Sequence, residues 1–596
     1  MSILAGVVSR KHGLYPNAAW KEHLRSALSR HPSETVACFE QESAFLLKTD
    51  SGAYVEPAFR RDSLTGTIAM LAGEPLLACS KPGAGSNRAR DLEILQAGFD
   101  VGEWDLLRSV QGIFAAVYYQ PADRRLYLIA DKLGLRPIYY WMDEDWIVYS
   151  SALRILEALP FVPKVMDVRA VTEITCFGYP LNDRTPYDRV RTIQAAEIVS
   201  VDALKHESRT YWRWDDIPTS QQPESELLQE AYDRFQVAVQ RRLHRDRCVF
   251  AFLSGGLDSR CVVAALSSKV EIVHTLNMSL PQTQDRVYGA EIARRLGTRH
   301  QEDDFFIGDS GLFPRVLRII ERIDTDQMSK IDHPLVLWSG DGGSLGLGCI
   351  YMTKETVDTL RRGPEEAGIR RYLEEQRKYI VRRLLRRRVF EAVCDTIESG
   401  VGEEFAKLRC EDPGQRLYLF LMLNDQRRHY ASYFEEIDLN RLEPLTPFYD
   451  SDFLSLVTSV PLDLRLLHRF YNKWLNLFQP GVSAVPWQVY QGHEPCPIPH
   501  PRGLISQFDR TQSDYLHARR KRELFEQTSA LLRSEIFPTP ILRRLFLRLA
   551  SLATRWRLSD YSYVQEAALT YARYWRSKDA RFNVPGSGVD LRRVRS

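Results

Sequence analysis

Residues Phe252 to Arg260 read FLSGGLDSR, and their types and order suit the binding of phosphate groups. The run CVFAFL before them is apolar and short enough for a buried strand, and CVVAALSS after them has helical spacing. Gly255 and Gly256 let the backbone turn tightly and approach a ligand. A helix starting at about Asp258 presents unpaired N–H groups and the positive end of its dipole. Such a turn favours phosphate anions. Ser254 and Ser259 add hydroxyl donors, and Asp258 supplies a carboxylate able to hold Mg2+ against phosphates. The plainer reading of the same residues is a strand-to-helix turn with Asp258 as its cap.

The elements that must position this turn follow from hydrophobic rhythm. Residues 1–205 hold short β-branched or aromatic runs: LAGVVS, SAFLLKT, TIAMLAG, GIFAAVYYQ, RLYLIAD and WIVYSS. They predict a layered sheet domain with a helix over Arg88 to Phe99. Residues 206–225, with Pro, Ser, Gln and acids together, read as a linker. Beyond it an amphipathic helix (Leu227 to Leu243), the strand CVFAFL, the strand EIVHTLNM and a helix around Tyr288 to Leu296 alternate. That alternation predicts an α/β fold with a parallel, doubly wound sheet. From about 355 onward the pattern is helical and Arg-rich, and residues 501–596 read as a helical extension beyond the 226–500 domain.

Composition narrows the class. At 596 residues the chain exceeds what one hydrophobic core usually supports, so two domains are expected. A net charge of +3 on 80 basic and 77 acidic side chains argues against a dedicated nucleic-acid binder. Nine scattered cysteines without a CxxC pair read as reduced thiols. No stretch approaches the roughly 18 apolar residues that span a bilayer, and MSILAGVVSRKHG has too short an apolar run for a signal peptide. A cytoplasmic protein is expected, with no membrane and no nucleic-acid partner.

SGGLDS resembles the pyrophosphate-binding loop of the N-type ATP pyrophosphatases, and of the asparagine synthetase family in particular. The resemblance continues through the Leu296-Gly297-Thr298-x-His300 element, through LWSGDGGSLGLGCIY (Leu337 to Tyr351), and through LEPLTPFYD (Leu442 to Asp450), where Leu445 stands in place of the usual Arg. GIFAAVYYQPADRRLYLIADKLGLRPIYY resembles the family's glutaminase domain. The resemblance implies an Ntn-hydrolase-like αββα domain over 1–205 and an ATP-pyrophosphatase domain over 226–500. It also implies ATP and Mg2+, with a substrate carboxylate attacking the α-phosphate and an amine then attacking the acyl-adenylate. By the match, Leu253, Ser254, Gly255, Gly256, Leu257, Asp258 and Ser259 cradle pyrophosphate, and Asp258 binds Mg2+. Ser339, Gly340 and, more weakly, Met278 line the adenine and ribose, while Asp341 and Tyr351 form a carboxylate–tyrosine pair acting as base.

The chain departs from the family's pattern at several positions. Ser344 stands where the family has a second metal-binding Asp, and a serine is a poor magnesium ligand. VPWQVYQG holds no counterpart of the family's C-terminal Lys, and Lys473 reads as a solvated helix charge. The glutaminase nucleophile, a Cys after the initiator Met, is replaced by Ser2, whose hydroxyl ionises far less readily. The oxyanion element reads Ala72-Gly73-Glu74 without its Asn, while Asp91 and Glu93 resemble the residues that hold glutamine's amine. Loss of the glutaminase resembles β-lactam synthetase and the cyclases of lasso peptides, whose amine belongs to the substrate. Three readings stand: an amide-forming ligase of the lasso type with a precursor peptide and companion protease, an asparagine synthetase proper, and a silent nucleotide-binding partner. The run Arg382, Arg383, Arg386, Arg387, Arg388 reads as a solvated face or as a site for an acidic peptide.

Overall fold

A computed structural model describes residues 2–31, 34–50, 53–54, 58–77, 87–244, 246–303, 312–323, 336–506, 514–575 and 581–583. The N-terminal part stacks two six-stranded sheets. One runs 190–192, 139–142, 146–150, 2–9, 44–50, 35–41, and the other runs 206–210, 197–201, 125–130, 114–120, 68–73, 59–61. Every strand pair within these two sheets is antiparallel. Alternate side chains of both sheets (Leu4, Val8 and Leu46 on one; Met70, Val117 and Leu128 on the other) meet in a shared apolar layer. The helix Ala18–Leu28, capped by Asn17, packs on the outer face of the first sheet, and Arg88–Asp100, capped by Asn87, packs on that of the second. The expected αββα layering therefore stands.

His206–Thr210 extends the second sheet as its edge strand, paired with Glu197–Val201. The connection between domains thus begins after Thr210, five residues beyond the boundary that composition suggested. The helix after it spans Glu224–Arg241, starting just past Pro223.

The second domain is built on a five-stranded sheet in the order 299–302, 272–277, 248–252, 336–338, 443–445, parallel throughout. Strand order reverses on either side of Cys248–Phe252. This is the switch point of a doubly wound sheet, beyond whose carboxyl end such folds bind ligands. The Leu-Gly-Thr-x-His element serves construction: Gly297 ends the helix Gln284–Leu296 in the left-handed region, and Thr298 and His300 both bond the Thr275 hydroxyl, at 3.0 and 2.9 Å. It ties the outermost strand to its neighbour.

Ion pairs brace the second domain from within and join it to the first. Asp450 accepts from Arg241 (2.6 Å) and Arg242 (2.7 Å) while capping the helix Ser451–Ser459. Arg136 of the N-terminal domain pairs with Glu443, both buried. The extension also joins the body. Its helices Asp514–Arg533, Arg544–Arg555 and Ser562–Tyr574 close a core with Met166, Val168 and Val171 of the N-terminal domain and with Leu384 and Leu385. The Arg run flanks those two buried leucines and is exposed at all five positions. Among the described residues no helix is long and apolar enough to cross a membrane.

Candidate active site

Two loops leave the carboxyl ends of the adjacent strands Cys248–Phe252 and Val336–Trp338, and each enters a helix, Asp258–Ser267 and Gly343–Gly348. Glycine permits their contact. A Cβ on Gly340 would lie 2.5 Å from the Ser259 nitrogen, and one on Gly255 would lie 2.7 Å from the Gln284 carbonyl oxygen. A larger side chain at Gly340 would force the two loops apart, and one at Gly255 would push the first loop off the start of the helix Gln284–Leu296.

The first loop is internally braced. The Ser254 N–H donates to Ser259 Oγ (2.9 Å), the Gly256 N–H to Ser254 Oγ (3.2 Å) and the Gly255 N–H to Asp285 Oδ1 (2.9 Å), which Gln488 also holds at 2.7 Å. Beneath it Arg260, fully buried, donates to the carbonyls of Gly255, Gly256, Val482, Val485 and Pro486 at 2.8–3.1 Å. A guanidinium has five N–H donors, and all five are used.

Asp258 sits between two cavities and lines both. Its Oδ1 accepts from Ser344 Oγ (2.8 Å) and Tyr471 Oη (2.7 Å), and its Oδ2 accepts from the Ser344 N–H (3.0 Å). Burial nevertheless pushes the carboxyl up to about 6, with the nearby Asp341 adding to the rise against those three donors. Ser344, doubtful as a metal ligand in the sequence, thus holds the carboxylate.

The larger cavity, about 500 Å3, is lined by Leu253, Ser254, Asp258, Ser259, Met278, Ser339, Gly340 and Asp341 of the expected set. Tyr430, Tyr433, Asn277 and Asp285 join them there. The smaller, about 90 Å3, is lined by Ser254, Gly256, Leu257, Asp258 and Ser344, with His468, Gln488 and His493 brought from far along the chain. Gly255 faces neither cavity and serves as the point of contact described above. Asp341 accepts from Ser339 Oγ at 2.7 Å, and burial raises its carboxyl.

Tyr351 lines neither cavity and lies near Asp425, Tyr179 and Tyr372, while Tyr449 stands near both Tyr351 and Asp341. The aromatic hydroxyls close to Asp341 are those of Tyr430, Tyr433 and Tyr449. No periodicity marks them, because they reach the site through the helix Arg427–Glu435 and the turn Pro447–Tyr449, some ninety residues or more downstream. Lys473 is half-exposed and paired with Glu224 at 2.7 Å, away from both cavities.

Among the described residues no three His, Cys, Asp or Glu side chains converge as a metal cage. Mg2+ requires none where phosphate oxygens complete its shell around one or two carboxylates. A buried carboxylate with a raised pKa, at the junction of two cavities, fits that demand, and Asp258 would hold the ion. The linkage has a definite sign. With its folded pKa above the unfolded value near ~3.9, Asp258 makes the ligand-free protein more stable as pH falls from 7 through 6, because the buried charge is discharged. Magnesium-bound nucleotide needs that charge. Its affinity is expected to fall about tenfold per pH unit below that pKa, measurable by calorimetric titration.

In the N-terminal domain Ser2 is buried. Its hydroxyl donates to Asp50 Oδ1 (3.0 Å) and accepts from Arg88 Nη2 (2.7 Å). Arg88 also pairs with Asp50 (3.1 Å) and covers the Tyr54 ring at 4.9 Å, while buried Lys48 bonds Asp50. Asp91 is buried and accepts from the Leu77 N–H (3.2 Å), whereas Glu93 is exposed beside Arg60. A hydroxyl held between a carboxylate and a guanidinium is poorly placed to attack an amide. The variant Ser2→Cys is expected to release no ammonia from glutamine above the wild-type background in a coupled ammonia assay, because the ion network remains.

Comparison with known proteins agrees with this geometry. Residues 83–212 match the glutamine amidotransferase domain family and residues 230–341 the asparagine synthase family. The glutamine-hydrolyzing asparagine synthetase 2 assigned in Methanocaldococcus jannaschii is 25% identical over 295 residues, covering 46% of this chain and 57% of that protein. The Bacillus subtilis glutamine-hydrolyzing asparagine synthetase 3 is 25% identical over 190 residues, covering 31% and 30%. The human glutamine-hydrolyzing asparagine synthetase is 24% identical over 403 residues, covering 60% and 57%. The chain thus spans little more than half the length of these relatives, or less. Both domain families are thus matched in order along one chain, and the relatives named here are all asparagine synthetases, which this chain resembles.

Proposed function

We propose that the protein is an ATP-dependent carbon–nitrogen ligase, forming AMP and pyrophosphate. The observation that carries this reading is the meeting of two glycine loops at the switch point, with Asp258 between a roomy cavity and a small one. The nucleoside occupies the larger cavity against Met278, Ser339 and Gly340. The β- and γ-phosphates enter the smaller one past Ser254 and Gly256. Asp258 would hold Mg2+, which would supply the charge neutralisation that pyrophosphate departure needs.

A substrate carboxylate oxygen attacks the α-phosphorus, and the bond to the bridging oxygen breaks, releasing pyrophosphate. A substrate amine then attacks the acyl carbon, AMP leaves and one proton passes to a base. Asp341 is placed for that role. It lines the larger cavity, and burial raises its carboxyl towards a range in which it can accept a proton. Positioning two reactants beside preset donors is the larger share of such catalysis.

Because Ser2 is bound into an ion network, the nitrogen comes from the substrate. The concrete version is closure of a macrolactam ring in a precursor peptide, in the manner of lasso peptides, with a companion protease supplying the free amine. Incubation of the full chain with Mg2+, ATP and a leader-free precursor tests it. A product lighter by one water, with AMP formed in equal amount, supports the reading. Asparagine from aspartate and ammonia would instead select an asparagine synthetase.

A further inference from the structure

The smaller cavity poses an electrostatic problem. Its lining includes two acids, Asp258 and Glu494, and no lysine or arginine, although the reading above places the most highly charged part of ATP there. The nearby permanent cations are engaged elsewhere. Arg260 spends every donor on backbone carbonyls, Lys473 pairs with Glu224, and Arg469 at the mouth pairs with Glu494 at 3.0 Å. Arg465, three residues before His468, is turned to Val460, Gly346 and Gln415.

What remains is a pair of imidazoles. His468 and His493 both line the cavity, with their Nδ1 atoms 2.7 Å apart. Two Nδ1 atoms at that distance share one hydrogen. His493 also bonds the Ile350 backbone; with that bond at its Nε2, His493 is the acceptor at Nδ1 and His468 the donor. His468 Nε2 is then left bare; it is buried and has no hydrogen-bond partner. It faces the Cα of Gly348, where a Cβ would come within 2.4 Å. The backbone holds this arrangement at a cost. Leu467 and His468 are consecutive non-glycine residues at φ 60° and 67°, a strain of roughly 1–3 kcal/mol each. Strain of this kind persists where surrounding structure fixes a side chain for use.

We propose that the His468–His493 pair takes up one proton from solvent, at His468 Nε2, when a magnesium-bound nucleoside triphosphate fills this cavity. The pair thereby becomes the cation that the pyrophosphate moiety requires. The inference rests on the nucleotide reading above. The fixed charges lining the cavity are the carboxylates of Asp258 and Glu494, which do not oppose an added proton. Tyr471 and Tyr490 stack on His468 at 5.8 and 5.4 Å, the helix Gly343–Gly348 presents Gly348 and Ser344, and Glu494 is held by Arg469. Asp258 lines the same cavity and couples to both rings stacked on His468, bonding the Tyr471 hydroxyl and standing near Tyr490. Burial and mutual proximity hold His468 down to about 3, and burial lowers His493, so the empty pair is neutral near pH 7 and charges only beside an anion. The same burial makes the arriving charge strong.

The test is calorimetric titration of the full chain with Mg·ATP at pH 7.5, in two buffers of different ionisation enthalpy. Asp258, at about 6, is already ionised there and contributes no proton. The expected result is uptake of about one proton, with affinity falling about tenfold per unit as pH rises further. His493→Gln and His468→Gln are each expected to lose the uptake and to bind at least ~10-fold more weakly. His493 is only half-buried, so its variant keeps the test open should the buried His468 variant fail to fold. Binding of Mg·ATP by the wild type without proton uptake, or uptake undiminished in the folded variants, overturns the inference alone. Absence of any Mg·ATP binding overturns the nucleotide reading and this inference with it.

Discussion

Asp258→Asn is expected to lower pyrophosphate release by roughly 10^3-fold or more, while leaving the ligand-free protein at least as stable as the wild type. The asymmetry follows from its environment. Burial already disfavours the charge of this carboxylate, whose pKa stands at about 6, so an uncharged isostere relieves the empty site of an electrostatic burden. The same change removes the one carboxylate among the described residues that lines both cavities, and with it the group that would hold Mg2+ against the phosphates. One of the donors now meeting the carboxylate, the Ser344 amide, Ser344 Oγ or Tyr471, would face the new amide NH2, but the hydroxyls can turn to accept. Measuring the thermal midpoint and the pyrophosphate rate together separates this account from simple misfolding. A merely capping Asp258 would show the reverse: a loss of stability with modest change in rate.

Arg260→Met is expected to destabilise the second domain by about 3–5 kcal/mol and to raise the KM for ATP sharply. Five carbonyls that now converge on one guanidinium would lose their donor, and two of them, Gly255 and Gly256, belong to the phosphate loop itself. Arg260→Lys keeps the charge but offers three donors for five carbonyls. It is therefore expected to fall between wild type and Met in thermal midpoint and to recover little of the ATP affinity. Because Arg260 touches no cavity, its effect runs through loop geometry, and kcat at saturating ATP is expected to change less than KM.

The SGGLDS loop was legible in the sequence because its information is local. A short apolar run, two glycines, an acid and a helix start within nine residues define both the turn and its chemistry. Six strands of the N-terminal half were legible for the same reason, while Thr35–Gln41, Phe59–Arg61, Tyr139–Met142, Val190–Thr192 and Glu197–Val201 were not picked out. Nor was its last strand, since His206–Thr210 is exposed along its whole length and held only by the ladder to Glu197–Val201, leaving no apolar alternation to read. Arg260 read as a polar residue near a helix start, and nothing local announces that residues 482–486 fold back over it. Tyr430, Tyr433, His468 and His493 were invisible as site residues because they converge from separate elements, and their spacing along the chain reflects those elements alone. Tyr351 follows the left-handed Cys349 that ends the helix Gly343–Gly348; it lines neither cavity, and Tyr449, which stands near both it and Asp341, carried no local signal.

The account stands on Asp258 and the two glycine loops acting as a Mg·ATP site that activates a carboxylate. Isotope exchange between pyrophosphate and ATP, run with the purified full chain across candidate carboxylates including acidic peptides and aspartate, reads that event alone, without the amine. The account predicts exchange that requires both Mg2+ and one class of acid, and that disappears in Asp258→Asn. A chain that binds no Mg·ATP and supports no exchange with any acid would contradict it.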